Sequence, residues 1–286
     1  MLEVLAIPFV ACVVLTGIHC YLGIHVVMRQ VIFVDLALAQ IAAMGAAVAT
    51  LCGYPPHTPQ TYAFAVGFTF IGAAVFAVGR FRDERVPQEA IIGMVYAVTA
   101  AVAILILSKS SFEQQEIEHM LVGRLLLVEW QEVGKTLLIY GAVAALHVAC
   151  RRRFFAISAS VEHARRAGIN VRWWDFVFYA SFGLVVTSSV QIAGVLLVFS
   201  FLVVPAVCAI MFFTTVRHRL LAGWALGLVA SLMGLAASAQ WDFPTGASVV
   251  ASFGVLFLCC AATVALRALV KRHTTNTHPP HSAPRA

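Results

Sequence analysis

Ile32-Phe33-Val34-Asp35-Leu36-Ala37-Leu38-Ala39-Gln40-Ile41-Ala42-Ala43-Met44-Gly45 stands inside an apolar run that continues to Cys52. The run is about long enough to cross a bilayer as a helix. Hydropathy alone does not account for two of its side chains, Asp35 and Gln40. An acid near mid-membrane is costly unless it faces water, a partner or a substrate, so the default reading of Asp35 is a functional one. Arg29 stands a turn or two earlier, and a second reading stays open beside the first. In it the acid reaches the headgroup region and Gln40 bonds a neighbouring helix.

The rest of the chain has the same character. Of 286 residues 61% are apolar and 11% charged, and the mean hydropathy is +0.91. That lies outside the range of soluble domains, so the length bounds a number of membrane spans. Nine are expected, at roughly 4–27, 32–52, 61–79, 90–108, 134–150, 174–189, 192–214, 220–239 and 246–267. The sixth is the shortest. The fold class is an all-α polytopic membrane protein, with a transmembrane domain over 1–270 and a basic tail over 271–286. Pro279, Pro280 and Pro284 make that tail disordered by composition. Its His273, His278 and His281 are weak metal ligands at most.

Charge alternates from loop to loop. All Lys and Arg but Lys109, Arg124 and Lys135 fall on one side, together with the C-terminus. The other side holds Glu3, Glu113, Glu116, Glu118, Glu129, Glu132 and Asp242. The positive-inside rule then puts the N-terminus outside and the C-terminus in the cytoplasm. The net charge of +6 is explained by this placement and calls for no nucleic-acid partner. The seven cysteines are scattered through apolar runs with no C-x-x-C pair, so they read as small buried side chains. No basic region precedes the first apolar run, which is expected to remain as a span.

Several local readings follow. His19 and His25 lie six residues apart and so do not share a helix face. Each either bonds a neighbouring helix or, for His19, lines a path. Glu89 follows Pro87 at the start of the fourth span, where an acid favours the positive end of its own helix. Leu121 to Val128 have the pattern of a short helix on the membrane surface, and His119 with the nearby acids reads as a solvated acidic loop or as an attractor of cations. In the main inner loop, 151–172, residues Ser158 to Gly168 read as a short helix capped by Ser158 or Ser160 and ended by Gly168. Such a helix is a docking element for a soluble partner or a basic surface on anionic lipid. Pro205 is expected to kink or break the seventh span. No phosphate loop, H-E-x-x-H or nucleophile elbow is present, so the chain is read as no enzyme, and any ATP hydrolysis belongs to another subunit.

Taken together, Val31–Gly45, Glu89–Gly93, Leu121–Gln131, Glu162-x-Ala164-x-x-x-Gly168, Gly194–Val198 through Pro205-Ala206, and Pro244-Thr245-Gly246 resemble one family in its own order. They are similar to the ABC-3 permease subunits of importers for divalent metals (zinc, manganese or iron). The resemblance implies an ATP-driven importer of divalent transition-metal ions, zinc or manganese first, in the bacterial inner (plasma) membrane. It implies a second copy of the permease, cytoplasmic ATP-binding subunits, an extracytoplasmic metal-binding protein and surrounding lipid. No tightly bound cofactor is implied, since the metal ion is substrate. The segment with Ser160, Glu162, Ala164 and Gly168 would couple to the ATPase. Asp35, Gln40, Glu89 and His19 are the candidates for lining the path. The family's second span typically reads G-D-A-x-x-H-A-x-x-P-G. Aligned on Gly45, its Asp and His fall on Leu36 and Gln40, and its Pro on Met44. Leu and Gln are a poor pair for zinc. Either Asp35 substitutes with Glu89 or His19, or the pore passes the ion without holding it, or the substrate is another ion. The alternative from a different class is a gradient-driven carrier with Asp35 or Glu89 as proton relay.

Overall fold

The computed structural model describes residues 2–56, 58–79, 87–108 and 124–276. Ten α-helices and a 3-10 turn make up the described chain, with no strand among the described residues. Helices α1 (Leu2–Met28), α2 (Val34–Leu51), α3 (Pro59–Val78) and α4 (Gln88–Leu107) come first. The 3-10 turn Leu125–Leu127 precedes α5 (Trp130–Ala149), α6 (Arg151–Ala159) and α7 (Val161–Arg166). Helices α8 (Val171–Phe212), α9 (Val216–Trp241) and α10 (Thr245–Asn276) complete the chain.

The helix starts follow from local chemistry. Pro59 opens α3, where its missing N–H costs nothing, and Thr58 Oγ1 accepts the N–H of Thr61. Glu129 and Glu132 form a reciprocal capping box at the start of α5. Asn170 Oδ1 accepts the N–H of Trp173 and so starts α8.

Among the described residues eight helices have the length and hydropathy of a membrane span, where the sequence suggests nine. The difference lies in α8, which joins the expected sixth and seventh spans across a break at Gly194. Gly194 takes φ 73° and ψ 162°, a conformation open in practice only to glycine. The sequence points to Pro205 as the breaker, yet Pro205 stays inside a helical arm and the turn is at Gly194.

The break reverses the chain. Ser189 bonds His19 of α1, and the backbone of Leu202 lies against Gly23 of α1. A straight helix would carry Leu202 about 20 Å beyond Ser189, whereas His19 and Gly23 are only about 6 Å apart along α1. Arg29 at the far end of α1 meets Asp175 near the start of α8, so the first arm runs antiparallel to α1 and the second runs back beside it. The carbonyl of Ile192, next to the break, accepts the N–H of Arg124.

Helix α8 is the hub. It packs on α1, α2, α3, α5, α9 and α10, while α2 packs with α3 and α4. Phe178, Tyr179, Phe182 and Phe201 on α8 are fully buried. Helices α4 and α10 are the least buried of the long helices, with Val98, Leu105, Leu258 and Leu266 exposed. An apolar surface of that kind suits lipid contact. The seven cysteines are all free.

Three sequence expectations change. The proposed helix over Ser158–Gly168 is two helices, because Ser160 ends α6 and caps α7. Ser158 lies in the last turn of α6 and is buried. Of the surface helix at Leu121–Val128, only residues from 124 on are described, and Leu125–Leu127 form a 3-10 turn with Leu125 buried in the core. Helix α10 continues through Lys271 to Asn276. His119, Glu113, Glu116, Glu118, Arg80, Arg82, Arg85 and the last ten residues lie outside the described residues.

Candidate functional site

Asp35 sits in the first turn of α2 and is 1% exposed. Neither of its carboxylate oxygens has a hydrogen-bond partner among the described residues. Burying a carboxyl group in that condition carries a large desolvation cost, which makes Asp35 a candidate functional residue. Tyr140 of α5 lies within electrostatic range of it.

Glu89 stands beside this turn for a reason the sequence did not show. It is in the first turn of its own helix, as expected. Its two oxygens also accept the N–H groups of Phe33 (3.0 Å) and Ile32 (3.2 Å), at the start of α2. Glu89 therefore caps α2 from α4 and ties the two helices together. Gln40 and Leu36, one helical turn apart, are both half-buried on a partly open face of α2. Asp35 lies off that face and is buried within the bundle.

His19 is fastened on both sides. Its Nδ1 bonds the carbonyl of Leu15 at 2.8 Å and its Nε2 the Ser189 hydroxyl at 3.1 Å. Tyr140 bonds the same serine, so α1, α5 and α8 meet there. Asp35, Gln40, Glu89 and His19 do not form one ligand set. Among the described residues no group of three or more His, Cys, Asp or Glu is placed to hold a metal ion.

The four residues of the coupling segment divide their work. Ser160 Oγ accepts the N–H of His163 and caps α7. Ala164 is fully buried against Ile157 and Val171. Gly168 follows α7 with φ 76°. Glu162 presents its charged side chain to the surface, in an exposed pair with Arg166 at 3.2 Å.

Sequence reasoning missed a second buried charge site. Arg29 and Asp175 form an ion pair at 2.7 Å with both side chains fully buried. The Arg29 guanidinium also lies 3.9 Å over the Phe178 ring, and its Nε donates to Ser158 Oγ at 2.9 Å. His25 Nδ1 meets the same hydroxyl at 2.8 Å. His147 stacks on Phe154 and bonds Ser181. The available signal was an acid, Asp175, just inside an apolar span behind Trp173 and Trp174. At the opposite end of the bundle a cavity of about 370 Å³ is lined by Thr58, Tyr62, Arg124, Glu132, Lys135 and Ser188 among others. Tyr62 bonds Ser188 at its edge.

This arrangement has known counterparts. The chain is 24% identical over 274 residues to a "Probable iron transport system membrane protein" of Haemophilus influenzae, covering 93% of this chain and 98% of that one. It is 26% identical over 211 residues to the "Manganese transport system membrane protein MntC" of Listeria innocua, covering 71% and 74%. In fold it is similar to a chain of "PsaBC from Streptococcus pneumoniae in complex with Fab", with a TM-score of 0.75 at 18% identity over 90% and 91% of the two chains. The sequence pattern of the ABC 3 transport family matches residues 1–264, from the first helix through most of α10. The bundle, its hub helix and its sequence therefore agree: this multi-pass membrane protein belongs to the ABC 3 transport family.

Proposed function

We propose that the chain is the permease subunit of an ATP-driven importer for a divalent transition-metal ion. Two copies would assemble around the path, which reaches the start of α2 on the side where Asp35 is buried inside the bundle. Counting the two arms of α8 separately gives nine crossings, with the N-terminus outside and Arg29, α6, α7 and the C-terminus in the cytoplasm. ATP-binding subunits would dock on α7 through the exposed Glu162, and a metal-binding protein would deliver the ion from outside. None of the relatives named here is described as a gradient-driven carrier.

The observation that carries the reading is Asp35, a buried carboxylate in a membrane-spanning bundle with no hydrogen-bond partner among the described residues. A cation passing the start of α2 supplies the partner that the protein does not. The candidate donors on α2 and α4 are oxygens, from Asp35, Gln40 and Glu89. Oxygen donors suit manganese better than zinc, and the relatives are named for manganese and iron.

The test is uptake of manganese, iron(II) and zinc, each alone, by proteoliposomes that hold the permease with its co-purified ATPase. ATP-dependent uptake of one ion is the expected result. Asp35→Asn should abolish that uptake while the complex still assembles. Unchanged uptake by the variant returns Asp35 to a structural role, and no ATP-dependent uptake of any ion overturns the function.

A further inference from the structure

We infer that Ser158 is the joint through which movement of the cytoplasmic hairpin α6–α7 is delivered to the two helices at the centre of the bundle. The inference rests on the permease reading and names residues that reading does not use.

Helix α7 is anchored by the fully buried Ala164, with the partly buried Val161 packed beside it. Ala164 is buried against Ile157 of α6 and Val171 of α8, while Glu162, His163, Arg165 and Arg166 face outward. A push on the outer face of α7 therefore passes into α6 at Ile157. The next residue is Ser158, whose hydroxyl meets two groups from the C-terminal end of α1. Arg29 Nε donates to it at 2.9 Å, and His25 Nδ1 lies at 2.8 Å. The serine oxygen accepts from the guanidinium, and the same hydroxyl shares a hydrogen bond with His25 Nδ1, whose direction follows the His25 tautomer. Arg29 continues the chain of contacts to Asp175 of α8 at 2.7 Å.

A hydroxyl that ties α6 to the end of α1, and through Arg29 to α8, transmits displacement better than an apolar contact does. Its hydrogen bonds have defined lengths and directions, and breaking them strands buried donors and acceptors. Apolar neighbours such as Ile157 slide without such a cost. The same hydroxyl joins α6 to both ends of the buried pair's surroundings: to α1 through His25 and Arg29, and to α8 through Arg29. Ser158 is thus a positioning residue. It touches neither the ion path nor the docking face.

The experiment measures ions imported per ATP hydrolysed, in proteoliposomes that hold the full complex. Ser158→Ala should leave ATPase association and ATP turnover near the parent values and lower the ratio about five-fold or more. Ser158→Thr, which keeps the hydroxyl, should restore the ratio. His25→Phe keeps an aromatic ring against Phe155 and removes the nitrogen that bonds Ser158, so it should uncouple in the same way; it serves where the alanine variant does not fold. A ratio unchanged in both Ser158→Ala and His25→Phe overturns the joint while the function stands. Uptake and ATP turnover that fall together in both overturn it too, since that is the mark of a merely structural residue. A parent complex without ATP-dependent uptake overturns the function and the joint with it.

Discussion

Breaking the Arg29–Asp175 pair from one side should be far more damaging than removing both partners. The two charges lie 2.7 Å apart with no side-chain exposure. At an effective dielectric of about 20 their attraction is about 6 kcal/mol. Desolvation of the two ions offsets most of that, several kcal/mol each. The pair is therefore close to neutral relative to an apolar pair, but either charge left buried loses its counter-charge at 2.7 Å. Asp175→Leu should cost about 3–5 kcal/mol. Arg29→Met should cost a similar amount, plus up to about 2 kcal/mol for the lost contact over Phe178. The double variant should regain most of the loss of Asp175→Leu. The assay is reversible unfolding in mixed micelles by rising detergent denaturant, read as a double-mutant cycle. Two additive single losses, or a loss under about 1 kcal/mol for Asp175→Leu, would refute the reasoning, because an isolated buried charge would then cost little.

Two further outcomes follow from the geometry. Glu162→Lys reverses the exposed acid on α7 and should release the ATPase or lower ATP turnover in the complex, with the permease still folded, since Glu162 contributes only an exposed pair to stability; co-purification checks it, and an intact complex with normal turnover removes α7 as the docking element. Gly194→Ala should destabilise the bundle by about 1–3 kcal/mol, since φ 73° with ψ 162° is strained for any residue with a Cβ; the same unfolding assay measures it, and an unchanged midpoint means that the reversal does not depend on that conformation.

The helices were largely legible because lipid makes them so. A segment in hydrocarbon must satisfy its backbone internally, so a long apolar run can only be a helix. Glu129, Asn170 and Pro59 mark starts that local chemistry fixes, and they are found where such residues belong. The spacing of Leu36 and Gln40 on one face of α2 follows from helix geometry alone, and their shared half-burial agrees with it.

What the sequence by itself determined is the class of the molecule: an all-α membrane bundle, the rough limits of its spans, the segregation of its charges, and a suspicious acid at Asp35. These depend on hydropathy, period and charge, which act within a few residues of one another. Tertiary structure decided the rest. It showed that the chain turns back at Gly194 and not at Pro205, since proline weakens a helix locally but a neighbouring helix decides whether the arm continues. It placed both oxygens of Glu89 on the start of α2, fifty-odd residues away in the chain. It also showed that His19 is held by Ser189, that Asp175 neutralises Arg29, and that Asp35 alone keeps no partner among the described residues. A side chain's partner depends on which helices meet in space, and no local pattern carries that information.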